Sequence, residues 1–245
     1  MMIINCSADA AAHLYGKYKK GRDEGFFEPT SSVHDTVAER QEKLNVQDHT
    51  QWVVHAVKMG RSTSLIAMEF TTRWVHVIHR VRKGDVKGFI ERLNNRLVNG
   101  IQWLGNQFSL FTVEDLVASA EGYFSQHSEI RFYLQTDRSA MTHINQVSAF
   151  YQDVYYSIGA FPEDEETALE FDLRLNNDWR CRKGEAFDLR VDEKMLIHWM
   201  THYLSQKSQK SQQTEQILAR IKEVRRDMFM SNADFPFNMA QLRGQ

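Results

Sequence analysis

The stretch Gln51–Val81, QWVVHAVKMGRSTSLIAMEFTTRWVHVIHRV, constrains the fold of this chain more than any other. It divides into three runs of β-branched and aromatic residues: Trp52 to Met59, Leu65 to Phe70 and Trp74 to Val81. Gly60-Arg61-Ser62-Thr63 and Thr71-Thr72 are the only breaks between them. Such runs, bounded by short polar turns, predict three consecutive strands. Connections this short predict antiparallel neighbours, because a parallel crossover needs a dozen or more residues.

Around this block the chain alternates. Met2 to Cys6 predicts a short strand, and Ser7 an N-cap for a helix over 8–20. Residues 21–50 are polar, with a helix expected near Val33 to Lys43. Asp85 caps a helix whose Val86, Phe89, Ile90, Leu93, Leu97 and Ile101 recur at three- and four-residue spacing, with Gly100 near its end. Thr112 and Asp115 form a capping-box pattern ahead of the next helix. Ile130, Phe132 and Leu134 alternate as a half-buried strand. Asp137 or Ser139 starts a helix bearing Met141, Ile144, Val147, Tyr151 and Tyr155.

Beyond Gly159, Pro162-Glu163-Asp164-Glu165-Glu166 reads as a boundary. Leu169, Phe171, Leu173 and Leu175 alternate with polar residues, and Phe187, Leu189 and Val191 repeat the pattern, which predicts a hairpin. Asp192 caps a helix, and SQKSQKSQQ leads to an amphipathic stripe of Ile217, Leu218, Ile221, Val224 and Met228. The expected architecture is α+β: a mostly antiparallel sheet with helices packed on one face, a hairpin–helix extension and a C-terminal helix. Three units follow: 1–160 with its insertion, 161–205 and 206–245.

Charge narrows the function classes. The net charge is −2, yet residues 58–97 carry nine Lys and Arg against three Asp and Glu. Arg61, Arg80, Arg82, Arg92 and Arg96 are the arginines a polyanion would meet there, nucleic acid first among candidates, although charged faces are ordinary on a soluble surface. Arg92 and Arg96 are four apart and share a helix face. The stripe at 213–230 points to self-association or a protein partner, because a lone amphipathic helix must bury its apolar face. No run is long and apolar enough to span a membrane. Cys6 and Cys181 suit neither a disulfide framework nor a zinc motif, so a reduced, cytoplasmic setting without cofactor is expected.

Few residues carry the signature of chemistry. Asp137, Ser139 and His143 are of types used by hydrolases, but no G-x-S-x-G places Ser139 in a nucleophile elbow, and capping explains Asp137 and Ser139 alone. Arg138 adds charge where a helix N-terminus accepts an anion. His198 and His202 are four apart on a helix, as in metal sites, without the Glu or third ligand of a zinc motif. His76 and His79 fall on opposite faces of a strand. No phosphate-binding glycine pattern occurs.

The M-I-I-N-C-S opening, the Trp52 strand with Arg61 in its turn, and T-D-R-S-A-M-T-H-I-N at 136–145 together resemble an uncharacterised bacterial family, domain of unknown function 6933. The matching positions are Cys6, Ser7, Trp52, Arg61, Arg138, Ser139 and Asn145, over roughly residues 1–157. The polar insertion at 21–50 and the single basic residue after the turn depart from the pattern. The resemblance implies an architecture and no activity. The functional expectation is therefore a binding module for a polyanion or a protein, the alternative being a hydrolase-type enzyme with a site around Asp137, Ser139 and His143 or a metal at His198 and His202.

Overall fold

The structure, a computed structural model, describes residues 1–15, 37, 49–162, 164–182, 184–186, 188–204 and 210–233. The expected helix at 33–43 lies outside these residues except for Val37, as does the end of the helix expected over 8–20. Five strands form one sheet: β1 (Met2–Cys6), β2 (Thr50–Met59), β3 (Ser62–Glu69), β4 (Val75–Ile78) and β5 (Ile130–Leu134). Their order is β4-β3-β2-β1-β5.

The three-strand block is antiparallel as its turns require, with Trp52 opposite Glu69 and Leu65 opposite Ile78. The rest corrects the expectation. β1 pairs parallel with both β2 and β5, Met2 aligning with Thr50 and with Ile130, so the sheet is mixed. Long intervening segments allow those parallel pairings, and only short turns argue for antiparallel ones.

Helices cover both faces of the sheet, and not one. On the first face, α1 (Ala8–Tyr15), α2 (Val86–Gln107), α3 (Val113–Gln126) and α6 (Val191–Trp199) pack with Ile4, Trp52, Val54, Leu65 and Ala67. On the second, α4 (Arg138–Ile158) lays Ala140, Ile144, Val147 and Tyr151 over Val53, Val57, Ile66, Met68 and Val75. The near-continuous apolar run of β3 is the mark of a strand covered on both sides. Asp85, Thr112 with Asp115, and Asp137 cap α2, α3 and α4. Gly100 is not a terminus: α2 runs through it to Gln107, and a Cβ there would stand 3.0 Å from the Trp74 ring.

The expected hairpin is absent from the described residues. Residues 165–176 form helix α5 (Glu165–Asn176), whose buried positions are Ala168, Asp172, Leu175 and Asn176. Two of those are polar, which hides the helical period from an apolar count. They serve the edge of β4. Asp172 Oδ1 accepts from the Val77 amide at 3.0 Å, and Asn176 accepts from the Val75 amide at 2.8 Å and donates to its carbonyl at 2.7 Å. Arg96 Nη2 donates to the Val77 carbonyl at 2.9 Å. Side chains thus do for this edge what a sixth strand would do.

The C-terminal helix α7 (Lys210–Ala233) buries Ile217 and Ile221 in its own chain's first core. Arg225 pairs with Asp192 at 2.7 Å. Leu218 and Val224 of the stripe are half-buried, and Met228 is exposed. Asp192 itself lies within the first turn of α6, where Glu193 accepts from the Arg190 amide at 2.8 Å. The helix ends in a π-helical turn, Met200–Leu204.

Candidate oxyanion site

The site begins in the tight connection between β3 and β4. Glu69 accepts from the amide and hydroxyl of Thr72 at 2.5 and 2.7 Å, which closes the turn. Arg73 then takes a left-handed backbone, φ 67°, a conformation that L side chains enter at a cost. This turns the Arg73 side chain inward, to 1% exposure. Its guanidinium lies over the Phe70 ring at 4.9 Å, and Nη2 donates to Ser139 Oγ at 3.1 Å. Nε and Nη1 have no hydrogen-bond partner among the described residues.

A second arginine arrives from the loop after α5. Arg180 is 5% exposed; its Nη2 donates to the Leu175 carbonyl at 2.7 Å and its Nη1 is unpartnered among the described residues. Lys194 holds this loop, donating from Nζ to the Arg180 carbonyl and to Glu185, both at 3.1 Å. Arg182 pairs with Glu185 at 2.8 Å and lies over the same Phe70 ring as Arg73, at 5.8 Å. Phe70 therefore ties the two cationic segments together.

His143 completes the cluster, one helical turn beyond Ser139 on α4. Its Nδ1 is buried without a partner among the described residues. Burial pushes its pKa below the ordinary 6.5, and Arg73, Arg180 and Lys194 push it the same way. Burial also draws Arg73 and Arg180 below the usual guanidinium range, although a guanidinium stays protonated in a protein. Buried donors without acceptors are costly, and a carboxylate, sulfate or phosphate oxygen is what satisfies a guanidinium best.

The residues singled out in the sequence divide sharply. Ser139 and His143 enter the cluster. Asp137 accepts from the Ala140 amide at 2.8 Å, which is a cap, and Arg138 is exposed at the start of α4. Arg61, Arg80 and Arg82 are exposed. Arg92 turns to the His79 carbonyl at 2.8 Å, and Arg96 is 6% exposed and stands 3.2 Å from Asp172. The last two are structural, so the charge stripe expected on α2 is not on the surface. His198 and His202 stack at 4.2 Å, with His202 Nδ1 donating to the His198 carbonyl at 2.7 Å. No group of three metal-ligating side chains occurs among the described residues.

Arg73 lies within the basic block 58–97, and Arg180 between the two strands of the expected hairpin. Neither position carries a signal of burial in its own neighbourhood. Ser7 caps α1, accepting from the Ala10 amide at 3.2 Å, and Cys6 is buried with its thiol pKa pushed up.

No curated protein and no solved structure gives a significant match to this chain. The family described as Domain of unknown function (DUF6933) matches residues 4–187. That span reaches past 157 to take in α5 and Arg180 with Arg73, Ser139 and His143, leaving Lys194 beyond it; the chain belongs to this family.

Proposed function

We propose that this protein is a binding module for a small ligand bearing an oxyanion, held by Arg73, Arg180, Ser139 and His143, with Lys194 fixing the loop that carries Arg180. The observation that carries this reading is the pair of buried guanidiniums with donors that no described group accepts. Asp137 and Glu69 lie near Arg73, and Asp178 stands 4.0 Å from Arg180, so the charges are partly balanced within the chain. The N–H groups left without acceptors still cost free energy, which a bound oxyanion relieves. The expectation of a polyanion partner is thereby narrowed to an anion small enough to enter the fold. The hydrolase alternative has less support: Asp137 is committed to a cap and Ser139 accepts from Arg73.

Calorimetric titration with sulfate tests the reading. Sulfate keeps a fixed charge near neutrality, so any pH dependence belongs to the protein. His143 is neutral at pH 7 in the free site, and a bound dianion favours its protonated form. Affinity is therefore expected to rise as the pH falls from 7.5 to 5.5, because protonation of His143 and binding of the dianion favour each other. His143→Gln should flatten that dependence, and Arg180→Gln should abolish binding while the fold persists. Arg61→Gln, Arg80→Gln and Arg82→Gln together should leave it unchanged. No heat and no stabilisation at millimolar sulfate would sink the proposal.

A further inference from the structure

Through Arg180 the cationic cluster adjoins a cleft larger than an inorganic anion needs. The cleft lies between α4 and the end of α5, has a volume of about 360 Å³, and is lined by Gln146, Phe150, Arg174, Asn177, Asp178 and Arg180 among others. Asp178 is an exposed carboxylate 4.0 Å from Arg180, which a bound phosphate would have to displace. Arg180 belongs to both the cluster and the cleft. A volume above about 300 Å³ is the scale of a site for an organic ligand. Given the oxyanion reading, on which this step rests, we infer that the ligand is a mononucleotide, with its phosphate at Arg73 and Arg180 and its base in the cleft.

Three features match the three parts of such a ligand. The buried guanidiniums suit a phosphate, which accepts from planar, paired donors. Phe150, 36% exposed, presents a ring to the cleft, and the exposed Arg174 guanidinium lies over that ring at 5.7 Å. Nucleobases stack on phenyl faces and on guanidinium planes alike. Phe171 stacks on Phe150 at 6.0 Å with an 18° interplanar angle, which holds the ring in place. Gln146 is exposed in the cleft with an amide able to donate to and accept from a base edge. Spacing agrees as well. His143 and Phe150 are seven residues apart on α4, roughly 10 Å along the helix, which leaves room for a sugar between phosphate and base.

Titration of the full chain with inorganic phosphate, ribose 5-phosphate and the four nucleoside 5′-monophosphates tests this. At least one nucleotide is expected to bind about tenfold more tightly than either simpler phosphate, as one base stack is worth. Phe150→Ala should erase that advantage and leave the affinity for inorganic phosphate unchanged, which also shows that the variant folds. Nucleotides binding no better than inorganic phosphate would overturn the nucleotide assignment and leave the oxyanion site standing. An advantage that survives Phe150→Ala would overturn it too, because the base would then lie elsewhere. If no phosphate binds at all, the oxyanion reading itself falls, and this inference with it.

Discussion

Asp172→Ala is expected to cost about 3–5 kcal/mol of stability, the range for removing one partner of a buried ion pair. The carboxylate is wholly buried and serves three groups at once. Oδ2 accepts from His76 Nδ1 at 2.7 Å and lies 3.2 Å from Arg96 Nη1, while Oδ1 accepts from the Val77 amide at 3.0 Å. Trp74 Nε1 donates to His76 Nε2 at 2.8 Å, which fixes the proton of that ring on Nδ1, facing Asp172. Alanine would leave a buried guanidinium without its counter-charge, and an imidazole N–H and a strand amide without acceptors. Urea denaturation of wild type and variant measures the loss. The doubly substituted Asp172→Leu, Arg96→Met chain should lose less than Asp172→Ala, because no uncompensated charge remains. A loss below about 1 kcal/mol for Asp172→Ala, within the range of an exposed pair, would show that Asn176 and Arg96 hold the edge without it.

Acid is expected to unfold this protein well above the pH at which carboxylates titrate. Burial pushes His127 down to about 4 and His198 down to about 3. His127 is 6% exposed; its Nδ1 donates to the Tyr123 carbonyl at 2.8 Å and its Nε2 accepts from the Thr50 hydroxyl. Above pH 6.5 both rings are neutral whether the chain is folded or not, and they confer no pH dependence. Below 6.5 the unfolded chain takes up protons that the folded one refuses, so stability falls. Each histidine contributes at most about 1.4 kcal/mol per pH unit, and the loss levels off at the folded pKa values. For His127 alone that is roughly 3 kcal/mol by pH 4; partial exposure of His198 trims its share. His55, His76 and His143 are displaced in the same direction, all chiefly by burial. Asp192, raised to about 6 by burial, and Glu69, also raised by burial, act against them, yet five histidines oppose two carboxylates. Denaturation midpoints at pH 7.5, 6 and 5 should fall progressively, and His127→Gln should make the fall shallower. A midpoint that stays level over this range would mean that these rings protonate without unfolding the chain.

The strands and the helix starts were legible because their signals are local. β2, β3 and β4 announce themselves by β-branched runs and two short turns, and Asp85, Thr112 and Asp137 cap where capping chemistry places them. What failed was non-local. The parallel seat of β1 between β2 and β5 depends on residues far along the chain. Helix α5 was misread because Leu169, Phe171, Leu173 and Leu175 alternate while its buried face carries Asp172 and Asn176. An apolar period cannot register a face whose purpose is to donate and accept hydrogen bonds. The candidate site shows the same division. Ser139 and His143 stood out by residue type, whereas Arg73 and Arg180 are indistinguishable in sequence from surface arginines, and only folding removes them from water.

The position of β1 also sets an order of assembly. Among the described strands, β1 completes its pairing with β2 only once Val54 exists, and with β5 only once Leu134 does. The β2–β3–β4 meander closes on sequence neighbours and is complete by Ile78. Local pairings form quickly and distant ones slowly, since loop closure precedes any reward. The sheet therefore grows from the β4 border across to the other, with β1 joining β2 and β5 arriving last. Between those two events one flank of β1 presents unpaired amides and carbonyls, and that interval is when the nascent chain is most open to pairing with another copy of itself.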